Sequence, residues 1–577
     1  MPCGRRSAPR RLSRVSIYSE RPWLSSYAEG VPAEIELPAG SLSHLIDESV
    51  ATYGKHVALE FFGATTTYAE LGDQIARAAE GLRRRGVRKG DRVALVLPNC
   101  PQHVVAFYAA LRLGAVVIEH NPLYTPRELR HQFEDHGAQV AIVWDKCAKT
   151  VQDLPEDLGV TTVISVDLTR AMPASKRAAL RLPVPAARAA RNQLTTKVSG
   201  TITWESLLAS KRLKTSYPRP ERDDLALIQY TSGTTGVPKG AMLSHLNLTV
   251  NAAQARAWVP AIERGTSVVY AVLPLFHAYG LTLCLTFAMS MGARLVLFPK
   301  FDPDLVLDVV KKRPPTFLPA VPPIYERLVT AAQKRKISLS GIQIAISGAM
   351  SLPESIVKLW ESKTGGYLVE GYGLSETSPV LMANPVGNTR KDGTVGLPIP
   401  STELRVVDPE SPDDDRAFGE EGELLARGPQ VFSGYWRKAD ETEKVFTGDG
   451  WFRTGDIVTM DDDGFVRVVD RIKELIITGG FNVSPTEVED AIRAFEGVAD
   501  VAVVGLPQGR GGEDVVAAVV MAPGASFDEA AIRAFARDTL TAYKVPKRVY
   551  PVEELPRSIV GKVIRRKVRD QLLAAQS

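Results

Sequence analysis

Ten consecutive residues near the middle of the chain concentrate groups that bind phosphate. The run Thr231-Ser232-Gly233-Thr234-Thr235-Gly236-Val237-Pro238-Lys239-Gly240 carries four hydroxyls, three glycines and one lysine. Glycines let a backbone approach an anion closely and turn its N–H groups toward it, hydroxyls add donors, and the lysine adds positive charge. The run is not a Walker loop, because Gly236 and Lys239 are not adjacent and neither Ser nor Thr follows the lysine. It directly follows Leu225 to Tyr230, an apolar, strand-like stretch that ends where the loop begins.

Four further segments follow in order: Gly371-Tyr372-Gly373-Leu374-Ser375-Glu376-Thr377, Trp451-Phe452-Arg453-Thr454-Gly455-Asp456, Asp470-Arg471-Ile472-Lys473 and Arg557-Ser558-Ile559-Val560-Gly561-Lys562. With the phosphate loop they resemble the ordered signatures of the adenylate-forming superfamily, which includes acyl-CoA ligases, luciferases and peptide-synthetase adenylation domains. Arg21-Pro22-Trp23-Leu24 with Gly30-Val31-Pro32-Ala33-Glu34-Ile35, and Pro274-Leu275-Phe276-His277-Ala278-Tyr279-Gly280, are similar to bacterial long-chain fatty-acid:CoA ligases. The resemblance thus covers nearly everything past residue 20.

The resemblance implies a two-step reaction using ATP, magnesium and coenzyme A. An ionised carboxylate attacks the α-phosphate, pyrophosphate leaves, and the acyl group passes from the adenylate to a thiol. No general base is needed in the first step, since a carboxylic acid of pKa about 4 to 5 is already ionised at neutral pH; the protein must supply alignment and positive charge. By the same resemblance Thr231, Ser232, Gly233, Thr234, Thr235, Gly236 and Lys239 hold the β- and γ-phosphates, and Thr234 with Glu376, beside Thr377, holds the metal. Gly348, Ala349, Glu370, Gly371, Tyr372 and Gly373 form the adenine slot, where Tyr372 can stack on the base. Asp456 and Arg471 take the ribose, or in the case of Arg471 the α-phosphate. Lys562 bridges the carboxylate and the α-phosphate and is the principal catalytic cation. Lys473 marks a hinge whose rotation withdraws Lys562 and brings up Gly479, Gly480 and Phe481 beside the pantetheine tunnel. His277 is expected to gate the acyl pocket or lie near the carboxylate, against the alternative of a packed core histidine.

Adenylation domains that take amino acids carry an aspartate for the amino group where this chain has Phe276 and His277, and no carrier domain follows Ser577. The expectation is a plain carboxylic acid and a diffusible acceptor. The apolar run Phe317 to Ile324 and the similarity at Trp23 favour a medium- or long-chain fatty acid. The alternatives are a fatty acyl-AMP ligase serving an acyl carrier protein, an aryl-acid ligase of the 4-coumarate type and, from another class, a silent nucleotide- or lipid-binding module.

These residues need a scaffold, and the chain is long enough to supply one: 577 residues with 45% hydrophobic content imply two or more globular units. β-branched runs at Arg92 to Leu97, Val140 to Trp144, Thr162 to Val166, Leu225 to Tyr230, Ser267 to Val272, Arg294 to Phe298 and Ile342 to Ile346 alternate with helical patterns, the rhythm of layered α/β structure. The expected fold class is α/β: a large N-terminal domain (residues 21–470) of layered sheets with a small β-barrel or sheet region from about Thr394 to Val469, then a small mobile α+β domain (471–577). Within the latter, Ser526, Phe527, Asp528 and Glu529 form a capping-box pattern that predicts a helix start. Residues 1–20 read as a disordered basic extension without the apolar core of a signal peptide, and 169–200 as an exposed basic insertion.

A net charge of +4 and 24% charged residues give no global sign of a nucleic-acid binder. Four scattered cysteines fit neither a disulfide framework nor a structural zinc site, so a reducing cytoplasm is expected. Leu281 to Phe298, broken by Gly292 and Arg294, reads as buried core and not as a membrane span. The cations of the insertion raise the further expectation of peripheral attachment to anionic lipid at the inner face of the membrane. The sequence leaves monomer and homodimer open.

Overall fold

The computed structural model describes residues 16–231, 238–478, 481–507, 513–540, 542–558 and 561–576. Two large sheets build the N-terminal body. In the first, Ile202–Thr203, Thr162–Val166, Val140–Trp144, Arg92–Val96, Val116–Glu119, Leu225–Thr231 and Lys239–Ser244 lie side by side in that order. All neighbours are parallel except the last pair, a hairpin that closes on the phosphate loop with Thr231 opposite Lys239. Strands such as Val116–Glu119 are buried along their whole length, as expected where helices cover both faces of a parallel sheet.

The second sheet has nine strands, in the order Leu397–Pro398, Val380–Ala383, Tyr367–Gly373, Ile344–Ser347, Phe317–Ala320, Val268–Ala271, Arg294–Leu297, Val57–Phe61 and Ala64–Thr67. Its central strands are parallel. Open parallel sheets bind ligands beyond the carboxyl ends of their strands, and that is where Gly348 and Ala349 follow Ser347, and where the His277 loop follows Ala271. Helices Pro101–Arg112 and His245–Trp258 fill the core; every residue of the former is buried.

The region from Thr394 to Val469 takes the sheet form. Glu403–Val407, Gly422–Arg427, Phe452–Met460 and Val466–Arg471 make an antiparallel sheet in chain order. Beyond it, Val498–Pro507, Glu513–Met521 and Arg548–Pro551 form a sheet packed by helices Pro485–Arg493, Glu529–Thr539 and Arg565–Gln576. Its side chains alternate by period two: Val501, Val503, Val515 and Ala517 enter one core, Ala502, Val504, Val516 and Ala518 the other.

Four local expectations meet specific outcomes. The helix Glu529–Thr539 starts one turn-residue pair later than the capping box implied: Asp528, not Ser526, is the N-cap, its carboxylate accepting the Ala531 N–H at 3.0 Å. A charged oxygen placed beside the orphan N–H groups of the first turn outcompetes the hydroxyl two residues earlier. Leu281 to Phe298 is buried as a π-helical turn Leu281–Thr286, the helix Phe287–Met291 and the strand Arg294–Leu297, and no helix among the described residues is long and apolar enough to cross a membrane. Within the basic extension, Ile17–Glu20 forms a 3-10 turn whose Tyr18 is buried against Phe418. Within the insertion, helices Ala174–Ala179 and Pro185–Leu194 bury no residue.

Candidate active site

The hairpin Leu225–Thr231/Lys239–Ser244 brings Thr231 and Lys239 to the mouth of the phosphate loop. Ser232, Gly233, Thr234, Thr235, Gly236, Gly479 and Gly480, and the side chains of Lys473 and Phe481, lie outside the described residues. Lys239 pairs with Glu441, and its ammonium sits 5.1 Å over the Tyr435 ring. Hydrogen bonds from Lys239 and then Lys444 hold the Glu441 carboxyl down at about 2. The Tyr435 hydroxyl in turn donates to Glu376 Oε1 at 2.7 Å, and the Phe432 N–H donates to the Glu376 carbonyl at 2.8 Å. Glu376 is thereby buried with a fixed carboxylate, whereas the Thr377 hydroxyl is spent on the Pro379 carbonyl.

The walls beyond the strand ends are made thin by small residues. A β-carbon on Gly373 would lie 1.8 Å from the Pro379 carbonyl oxygen, and one on Gly348 would lie 3.1 Å from the Tyr279 ring. Ala349 takes a left-handed φ of 64°. Glu370, at the edge of this wall, is buried and its carboxyl is pushed up to about 8 by that burial. Tyr372 binds the Asp456 carboxylate through its hydroxyl. Asp456 and Arg471 face each other across two antiparallel strands, with Arg471 Nε 2.9 Å from Asp456 Oδ1. Asp456 is 1% exposed, and its charge raises the affinity of Arg471 for its proton.

Lys562 reaches this pair from the C-terminal body. The turn that presents it is closed by the Ser558 N–H on the Lys562 carbonyl at 2.7 Å and by the Lys562 N–H on Ser558 Oγ at 3.1 Å. Gly561, at φ 83°, abuts the N-terminal body so closely that a β-carbon there would lie 3.3 Å from Met350 Sδ. Burial first, and Arg471 second, lower the Lys562 pKa, while Glu474 and Asp456 oppose them. On balance the charged ammonium is disfavoured, and the converging oxygens of a carboxylate and a phosphate would supply the further negative charge that steadies it.

His277 lines a largely apolar cavity of about 80 Å³ whose wall also includes Gly348, Gly371, Tyr372 and Trp258. Its Nδ1 accepts the Tyr279 N–H at 3.3 Å, and burial lowers its pKa to about 4, so the imidazole is neutral at working pH. His277 is thus a wall of the cavity. Its loop is pinned from below: Asn99 Nδ2 donates to the carbonyls of Ala271 (2.9 Å) and Leu273 (2.7 Å), Asn99 Oδ1 accepts the Leu275 N–H (2.8 Å), and Gln229 Nε2 donates to the Phe276 carbonyl (3.1 Å).

Sequence reasoning did not single out Tyr435, Glu441, Asn99, Gln229 or Trp258. Asn99, shortly after an apolar strand, and Gln229, inside another, had a usable signal as polar residues in apolar surroundings; the other three had none.

Two family models match the chain: that described as AMP-binding enzyme over residues 46–436, and that of the AMP-binding enzyme C-terminal domain over 487–562. A long-chain-fatty-acid–CoA ligase of Bacillus subtilis (strain 168) is 37% identical over 96% of this chain and 98% of its own length. One of Salmonella typhimurium is 39% identical over 95% and 98%. The crystal structure of ATP-bound MatB from Rhodopseudomonas palustris superimposes with a TM-score of 0.79 at 31% identity, over 93% of this chain and 100% of that one.

Proposed function

This chain belongs to the AMP-binding enzyme family, and from that premise we propose that it is an ATP-dependent acid:CoA ligase that activates a medium- or long-chain fatty acid. The observation that carries the reading is Tyr372, which lines the apolar cavity with Gly348 and Gly371 and binds Asp456, itself paired with Arg471 in the field of Lys562. An acid bound tail-first in the cavity would present its carboxylate at that junction. The carboxylate oxygen attacks the α-phosphorus, the P–O bond to pyrophosphate breaks, and an acyl adenylate forms. Lys562 neutralises the oxygens about to join, Asp456 and Arg471 orient the ribose side of the nucleotide, and the neutral His277 keeps the carboxylate end of the cavity free of competing charge. In the second step the coenzyme A sulfur takes the acyl carbon and AMP leaves.

Magnesium fits the donor set. Glu376 is a single buried carboxylate with one oxygen fixed by Tyr435, and no cluster of three or more His, Cys, Asp or Glu stands among the described residues. A cation that keeps phosphate and water oxygens as most of its ligands needs little else from protein. Glu376, with Thr234, would hold it, and it would supply positive charge at the polyphosphate.

The test is pyrophosphate release over acids from acetate to palmitate, plus coumarate, with and without coenzyme A. Release with fatty acids and accumulation of acyl-CoA is the expected result. Release only with coumarate would make it an aryl-acid ligase, transfer only to a carrier protein an acyl-AMP ligase, and no release with any acid a binding module. We also place the chain in the cytoplasm with a peripheral membrane contact through residues 169–200, which hold seven Lys or Arg and no Asp or Glu and expose Leu182 and Val184. Co-sedimentation with anionic vesicles should be lost when those cations are replaced.

A further inference from the structure

At about 80 Å³ the cavity is well below the roughly 300–1,000 Å³ of ordinary ligand pockets, so as it stands it accommodates only part of a fatty chain. Some wall must yield to a longer one. Most walls are fixed: Phe317 and Ile346 stand on adjoining strands of the parallel sheet, and Leu283 sits in the buried turn Leu281–Thr286. Trp258 differs from them in three respects. It is the last residue of its helix, His245–Trp258. Its indole is held by one side-chain bond, Nε1 donating to the Asn384 carbonyl at 3.0 Å. Its ring meets that of Tyr27 edge-on at 5.2 Å, a half-buried residue of the N-terminal segment tied by its hydroxyl to the Pro398 carbonyl at 2.6 Å.

We propose that the Trp258 indole is the movable end wall of the acyl cavity and sets which chain lengths this protein activates. Short acids end against the indole. Longer ones displace it from the Asn384 carbonyl toward Tyr27 and continue beneath the N-terminal segment. The inference rests on the fatty-acid reading above and adds the residue that governs length.

The experiment measures kcat/KM for pyrophosphate release with octanoate, laurate, palmitate and stearate in the wild type, Trp258→Ala and Trp258→Phe. Each newly buried methylene is worth about fourfold in affinity. Removing the wall should therefore raise the palmitate-to-octanoate ratio at least tenfold in Trp258→Ala, and by less in Trp258→Phe, with KM for ATP unchanged. A ratio within twofold of wild type in the folded variants overturns the proposal, as does a fall at every length in parallel. Should Trp258→Ala fail to fold, the Trp258→Phe ratio decides alone. Wild type that releases no pyrophosphate with any acid instead removes the fatty-acid reading itself, and the proposal with it.

Discussion

Lys562 and Asp456 are far apart in the chain, on different bodies, and nothing in their spacing places them together; the motif resemblance named both, and the fold puts one in the field of the other. Because burial and Arg471 both disfavour the Lys562 charge, the ammonium gains most when negative oxygens arrive between them. Lys562→Ala should therefore lower adenylation about 10²- to 10³-fold, the cost of one lost transition-state donor, while thioester formation from supplied acyl adenylate stays near wild type. Measuring the half-reactions separately checks this, and equal loss in both would contradict the role given to Lys562. Tyr435 carries a second prediction. Its hydroxyl is bonded to the Glu376 carboxylate, and bonds to charged groups are worth about 1.5–3 kcal/mol. Tyr435→Phe should weaken ATP binding about tenfold in calorimetric titrations with magnesium and leave binding without magnesium unchanged; a uniform effect would mean that Tyr435 serves only packing.

Among elements, the loop from Leu273 to His277 has no regular ladder of its own and depends on the buried Asn99, which satisfies two carbonyls and one N–H. Asn99→Ala leaves those groups unpaired, at about 1–3 kcal/mol each. The denaturant midpoint should fall, and KM for the acid should rise more than KM for ATP, since the loop forms the cavity wall and not the phosphate site. Strands such as Val140–Trp144 were legible because burial on both faces requires an unbroken apolar run. The glycines of the second signature were legible as a motif, but the reason for Gly373, a Pro379 carbonyl where a β-carbon would go, appears only in three dimensions. Tyr435 was invisible for the same kind of reason: the segment from Phe432 to Trp436 pairs with Gly240 and Met242, a contact across nearly two hundred residues that leaves no periodic trace in either partner. The N-cap of Glu529–Thr539 was missed by two residues, because Ser526 and Asp528 both satisfy local rules and only the path of the backbone decides between them.

At the scale of the whole molecule the two bodies differ in how they meet acid. All eight histidines lie at or before His277, and none falls in the C-terminal body. The C-terminal body is instead secured by carboxylates on arginine: Arg565 pairs with Glu489 at 2.8 Å and also with Glu474. In the N-terminal body burial holds His120 and His245 at about 4, and His136 well below its ordinary value. An unfolded histidine titrates near 6.5. Between that value and about 4 the unfolded histidines take up protons that the folded ones refuse, so their contribution to stability falls as pH drops through this window and does not change above it. At pH 5 the penalty is about 2 kcal/mol for each of His120 and His245. Hydrogen exchange between pH 7 and 5 should accordingly show protection lost first around the helix Pro126–His136, which packs His120 against Phe133 and His136, and later in the strand Val498–Pro507. His120→Gln should flatten the pH dependence of the first loss without moving the second, whereas simultaneous loss in both bodies would show that their unfolding is one cooperative event in which the histidines have no separate part.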